Sequence, residues 1–196
     1  MLSILALSAL AATALAGSSA TLGDGYCDAN ACITAVRSGG TDTWSIAPVT
    51  PIPHDNFGWI AIGFGKNMPN SPMVIMWPNA DDTFTLSQRE ANAHAPPNVT
   101  DAPPRHATLD STHSFSNASA TGFTFTLPSS EETAFPIIFA YSGINPNSTS
   151  STAPIRKHTW TGHANITLTA LDEETGGEKP KPSCKPKKKR RSMASL

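Results

Sequence analysis

One methionine lies where its side-chain chemistry would be accessible. Met68 sits in a short polar stretch, Gly-Lys-Asn-Met-Pro-Asn-Ser, directly after the apolar run 58–65. That run is typical of a buried strand, and its glycines allow the backbone to approach a neighbouring group closely. A thioether is a soft ligand for transition metals. Met68 is therefore either a metal ligand at a strand end or a hydrophobic side chain that covers the edge of the fold.

A methionine ligand needs a second ligand, and the chain has six histidines. His158 lies just ahead of the last apolar run, and His94 follows a strand-like run in a similar position. Three others, His54, His106 and His113, lie among polar residues and are expected to be solvated. From the residues alone, each histidine is either a surface side chain or a ligand that the fold brings to Met68.

The elements that would position these residues are strands. Short runs rich in β-branched and aromatic residues recur at intervals of about ten residues, with turn-forming residues between them, and no amphipathic pattern of helical length appears. The runs are CITAVRS, TWSIAPV, FGWIAIGFG, MVIMW, TFTLSQ, HSFSN, FTFTL, PIIFAYS and ANITLTAL. This pattern predicts an all-β, antiparallel sandwich.

Alternation within the runs assigns side chains to faces. In the last run, His163 and Asn165 alternate with apolar residues, which predicts that both lie outside the core. Met73 and Met76 are three residues apart on one strand, so they should point to opposite faces, and both are expected to fill the core.

The N-terminus has the features of a secretory signal peptide, predicted over residues 1–16. It is apolar, too short to span a bilayer, and ends in Ala14-Leu15-Ala16. Four N-glycosylation sequons, at Asn98, Asn117, Asn147 and Asn165, agree with secretion. These features predict a secreted, extracellular glycoprotein.

Cysteine spacing in a secreted chain indicates disulfide pairing. Cys27 and Cys32 lie close together and are expected to form a disulfide, which leaves Cys184 as a free thiol or an intermolecular partner.

Charge divides the chain into two parts. All fifteen acidic residues lie at or before Glu178, where only six of the fourteen Lys and Arg are found, so that part carries a net charge of −9. An acidic body of this kind argues against nucleic acid as a partner. We predict a globular domain over residues 21–172 and a disordered basic tail over residues 173–196.

Three stretches of the sequence resemble a known family. They are GWIAIGFGKNMPNSPMVIMWPN, TLSQREANAHAPP and STAPIRKHTWTGHANITL, and together they resemble the DOMON-type cytochrome domains of fungi, such as the haem domain of cellobiose dehydrogenase. The resemblance spans most of residues 25–171 and implies an immunoglobulin-like sandwich with haem held at one end, between the sheets. It also implies that Met68 and His158 are the axial ligands of a b-type haem. The segment containing Arg89 and His94 would then supply a hydrogen bond to a haem propionate.

The resemblance implies a function as well. Without a Cys-x-x-Cys-His motif the haem b would be bound non-covalently. The expected role is extracellular transfer of single electrons from a separate flavin dehydrogenase or small reductant to a copper monooxygenase, ferric iron or quinones. Ferric reductase activity is a candidate, and no hydrolytic or transferase site is seen. The alternative is a haem-free carbohydrate-binding or adhesion module, because other secreted sandwiches have those functions.

Overall fold

The computed structural model describes residues 20–171, so the predicted signal peptide and basic tail lie outside the described residues. The described part contains thirteen strands and one short 3-10 helix, His54–Asn56. The strands are β1 Leu22–Cys27, β2 Ala31–Ser38, β3 Thr41–Pro48, β4 Trp59–Phe64, β5 Met73–Pro78, β6 Phe84–Glu90, β7 Asn98–Val99, β8 Thr108–Leu109, β9 Phe115–Ser116, β10 Thr121–Pro128, β11 Ala134–Ser142, β12 Trp160–Thr167 and β13 Thr169–Ala170. Nothing helical within residues 20–171 is long and apolar enough to cross a membrane.

The strands form two antiparallel sheets. The seven-stranded sheet has the order β13-β1-β2-β3-β10-β8, with β9 also pairing with β10. The six-stranded sheet has the order β12-β11-β4-β5-β6-β7. The prediction of an antiparallel β-sandwich is therefore confirmed.

The core between the two sheets is rich in aromatic side chains. Trp44, Phe123, Phe125 and Phe139 are almost completely buried there. The Trp44 ring meets that of Phe64 edge to face, with the ring centroids 5.0 Å apart, an arrangement favoured by the ring quadrupoles. Because these rings fill the space between the sheets, a flat cofactor cannot lie there as the resemblance had implied.

A buried ion cluster closes one end of this core. Asp42 is fully buried and accepts hydrogen bonds from Arg37 at 2.9 Å and from Arg105 at 3.0 Å. The Arg105 guanidinium also lies over the ring of Phe64, 5.3 Å from its centroid. Since Phe64 is the last residue of β4, the cluster fixes the point where the chain enters the Met68 loop.

Asp42→Asn should destabilise the fold by about 1.5–3 kcal/mol, the usual contribution of hydrogen bonds to charged groups. The neutral amide would also leave the guanidinium groups of Arg37 and Arg105 without a counter-ion. Urea unfolding followed by tryptophan fluorescence measures the change. Asp110→Asn, at a half-exposed carboxylate that pairs with His113 on the surface, is the control and should cost less than about 1 kcal/mol. Equal losses in the two variants would mean that the buried cluster contributes no more than a surface pair.

The disulfide between Cys27 and Cys32 is present, as predicted. The two residues face each other across β1 and β2, so the bond closes the turn of this hairpin. It also helps to hold β1, whose sequence Leu-Gly-Asp-Gly-Tyr-Cys has low strand propensity.

Residues of β4 and β5 alternate between two separate hydrophobic clusters. One set faces the other sheet and comprises Ile60, Ile62, Val74 and Met76. The other set faces away from it and comprises Trp59, Ala61, Met73, Ile75 and Trp77. The prediction that Met73 and Met76 point to opposite faces is confirmed. The prediction that both fill the core is correct for Met76 but wrong for Met73, which belongs to the outer-face cluster. The six-stranded sheet therefore has an apolar outer face in addition to the core.

Candidate functional site

A cavity of about 830 Å³ lies on this outer face, within the range of roughly 300–1,000 Å³ that is usual for cofactor and ligand sites. Its floor includes the small residues Ala61, Gly63 and Ala140 on neighbouring strands. A Cβ added to Gly63 would lie 2.8 Å from a side-chain carbon of Ile138, so glycine is required for the close packing there. Small residues on two neighbouring strands, β4 and β11, leave the volume open above the sheet.

One side of the cavity is formed by a long segment, residues 145–159, which we call the strap. Side chains on the outer face of β4, β5 and β6 donate hydrogen bonds to its backbone carbonyls. Trp77 donates to Ser148, Thr85 to Thr149, Ser87 to Ser151, Arg89 to Ser151 and Ala153, and Trp59 to Arg156. The strap is thus attached to the sheet by side chains of the sheet.

The loop that carries Met68 is fixed at both ends. At the first end, Gly65 packs so closely against Ser71 that a Cβ on residue 65 would collide with the Ser71 hydroxyl, so only glycine fits there. On the other side of Met68, the N–H of Asn70 donates to the carbonyl of Ala91 at 2.7 Å. Asn70 has a positive φ of 60°, which asparagine tolerates better than most residues. Met68 is half-buried against the outer-face cluster and lines the cavity.

Three of the predicted site residues meet at this cavity. Met68 lines it from the β4–β5 loop, His158 from the end of the strap, and His94 from the segment after β6. The side chain of His158 is half-buried, whereas that of His94 is exposed. His163 also lines the cavity from β12. Its predicted outward position agrees with the structure, but sequence reasoning did not recognise the outer face of that strand as part of the site.

Arg89 has a different position from the one expected. It is not among the residues that line the cavity, and its side chain is only 4% exposed. Its guanidinium donates to the carbonyls of Ser151 at 2.9 Å and Ala153 at 2.6 Å, and its Nε donates to Ser87. Burial lowers the pKa of Arg89 because desolvation disfavours the charged form. In this geometry Arg89 fastens the strap and does not face the cavity.

The wall of the cavity is positively charged. Lys66, Arg156 and Lys157 line it, and no Asp or Glu of the described chain does. The other three Lys and Arg of residues 20–171 are engaged elsewhere: Arg37 and Arg105 with Asp42, and Arg89 with the strap. Sequence reasoning did not identify these cationic residues as part of the site, although Arg156 and Lys157 are the two residues directly before His158.

The residues around the cavity fit a non-covalent haem b. The floor is apolar, the wall carries a thioether and an imidazole, which are known axial ligands of haem iron, and the cations suit the two propionates. No cysteine lines the cavity, so nothing there would form a thioether link. Residues 20–171 contain no group of three or more His, Cys, Asp or Glu arranged to hold a bare metal ion. The donor set therefore suits a macrocyclic iron cofactor better than a free ion.

Comparisons with known proteins bear on the fold and on the family of the chain. No curated protein matches the chain. A solved cytochrome b domain of pyranose dehydrogenase from Coprinopsis cinerea is similar with a TM-score of 0.58 and 15% identity, over 71% of this chain and 77% of that one. The cytochrome domain of Myriococcum thermophilum cellobiose dehydrogenase is similar with a TM-score of 0.58 and 17% identity, over 76% and 82% of the two chains. At these identities, the two structures support the fold alone. Residues 39–175 match the family described as the cytochrome domain of cellobiose dehydrogenase, and the chain therefore belongs to that family.

Proposed function

We propose that the protein is a secreted electron-transfer cytochrome that binds one haem b in the outer-face cavity. The observation that carries the proposal is that Met68 and His158, from distant parts of the chain, line one apolar-floored cavity. In this proposal Met68 and His158 would be the two protein ligands that hold the haem iron. The bound haem would supply a one-electron centre.

The remaining cavity residues have distinct tasks in this proposal. His94 and the cationic side chains of Lys66, Arg156 and Lys157 would bind the propionates by charge-assisted hydrogen bonds. The apolar floor would exclude water from the bound cofactor, and the resulting low local dielectric would strengthen these polar contacts.

The partners are proposed on the basis of the family. The electron donor would be an extracellular flavin dehydrogenase or a small reductant, and the acceptor a copper monooxygenase, ferric iron or a quinone. Secretion is supported by the sequence of residues 1–16 and by the four sequon asparagines, since Asn98, Asn117, Asn147 and Asn165 are all exposed. Glycans at these positions would not disturb the core.

Absorption spectroscopy of the secreted full-length protein tests the proposal. We expect an intense Soret band that sharpens and shifts on reduction, as is typical of a six-coordinate, low-spin haem with His and Met ligands. The apo-protein should bind haemin with one-to-one stoichiometry. A colourless protein that cannot be reconstituted with haemin would contradict the proposal and favour the alternative, a haem-free carbohydrate-binding or adhesion module.

A further inference from the structure

The hydrogen bonds of the strap differ in how directly they bear on His158. Most are made far upstream: the bond from Trp77 ends at Ser148, ten residues before His158. The bond from Trp59 ends much closer. Its indole Nε1 donates to the carbonyl of Arg156 at 3.2 Å, only two residues before His158. Of the side-chain bonds to the strap, this one lies nearest to the proposed ligand.

Trp59 is itself held firmly. It is 4% exposed and belongs to the outer-face cluster, where its ring also forms part of the cavity floor. As the first residue of β4 it pairs with Ser142 of β11 in the sheet. Because the indole ring is rigid and its strand is part of a regular sheet, its N–H has a fixed position. It can therefore hold the backbone of a segment that is not part of the sheet.

The backbone on the other side of His158 is fixed as well. The N–H of Thr159 donates to the carbonyl of Tyr141 at 2.6 Å, and the next residue, Trp160, begins β12. The indole of Trp160 stacks on Tyr141 with ring centroids 5.2 Å apart. His158 therefore lies between two anchored points, Arg156 and Thr159, and Trp59 provides the first of them.

We infer that Trp59 is a positioning residue for His158, because its N–H fixes the backbone from which the imidazole reaches the cavity. The inference rests on the proposed function, in which His158 binds the haem iron. Groups that orient a metal ligand from outside the coordination sphere typically change metal affinity by about 10–100-fold. Since Trp59 acts through the backbone, we expect the lower end of this range.

The test removes the N–H and keeps the ring. Benzothienylalanine, in which sulfur replaces the indole N–H, is incorporated at position 59 of the full chain by codon suppression, and Trp59→Phe provides a second, genetically simple variant. The rate of haem transfer to an excess of a haem-scavenging protein is measured, together with the high-spin fraction in the absorption spectrum. We expect about tenfold faster haem loss and a new high-spin component.

Trp77 provides a matched control. Its N–H donates to Ser148 at 2.7 Å, it is fully buried in the same cluster, and it does not line the cavity. The same two replacements at position 77 should lower the urea midpoint of the apo-protein without changing the haem spectrum or the rate of haem loss. Equal effects on haem at positions 59 and 77 would overturn the inference, because they would reflect general loosening of the strap.

A double-mutant cycle separates positioning from direct packing against the haem. If Trp59 acts through His158, its replacement should have little further effect on haem affinity in a His158→Ala background. The same fold-change in both backgrounds would overturn the inference. The proposed function and the inference about Trp59 can fail separately. If the unmodified protein binds no haem, the proposed function fails. If the unmodified protein binds haem and the benzothienylalanine variant retains haem equally well, only the inference about Trp59 fails.

Discussion

His158→Ala is expected to reduce haem affinity more than about a hundredfold, because the loss of a ligand should exceed the roughly 10–100-fold effects of groups that only orient one. The imidazole of His158, half-buried at the end of the strap, is the stronger of the two proposed ligands, and alanine has no donor atom to replace it. Titration of the apo-protein with haemin, followed at the Soret band, measures the change.

His163→Ala is the matched control for this experiment. His163 lines the same cavity but lies on β12 and is exposed, so its removal should change haem affinity only slightly. If His163→Ala abolished haem binding and His158→Ala did not, the ligand would be the strand residue. The assignment of His158 as the iron ligand, which came from resemblance to the family, would then be wrong. Circular dichroism of both apo-proteins checks that each variant keeps the sandwich.

Met68→His is expected to retain a six-coordinate, low-spin haem but to lower its reduction potential by on the order of a hundred millivolts, a modest part of the ~0.8 V that axial ligands span. Imidazole stabilises ferric iron better than a thioether does, so the oxidised form gains. The loop is held at Gly65 and Asn70, which should keep the new side chain directed to the cavity. A spectroelectrochemical titration gives the potential.

The comparison residue is Met73, because the structure places it on the cavity as well. It is 7% exposed and lies on the outer face of β5. Met73→Leu conserves volume and should cost less than about 1.5 kcal/mol in stability while leaving the potential and the spectrum unchanged. If Met73→Leu moved the Soret band and Met68→His did not, iron ligation by Met68 would be excluded.

The long strands were predictable from their composition and boundaries. The runs that became β4 and β5 are continuous apolar stretches, and the run that became β10 alternates apolar and polar residues. Each lies between turn-forming residues. Strand β1 was missed because two glycines and an aspartate give it low intrinsic strand propensity, and it forms through pairing with β2 and the disulfide. The two-residue strands β7 and β8 are too short to leave a pattern. Residues of β13 were predicted as the end of the last run, but in the structure they form a separate strand that pairs with β1 in the other sheet.

The site was less predictable than the fold, for a physical reason. The strap is rich in Ser, Thr, Asn and Pro and resembles an ordinary loop. The strap is held in place by side chains such as Trp77 and Ser87, which are more than sixty residues away from their partners in sequence. No local sequence pattern therefore indicates that it is attached to the sheet. The pairing of Met68 with His158 likewise came from resemblance to a family, since nothing local to either residue indicates the other.

The attachment of the strap has a consequence for how the protein responds to cofactor supply. A segment held on a sheet by side-chain bonds can lift away in a local opening that leaves every strand paired. A ligand that touches both the strap and the floor binds only the closed form, so it stabilises that form by RT ln(1 + [L]/Kd), or about 2.7 kcal/mol when its free concentration is a hundred times Kd. Haem availability would then set how often residues 145–159 are exposed to proteases. A chain secreted without cofactor would be cut first at the strap, while its sandwich remained folded.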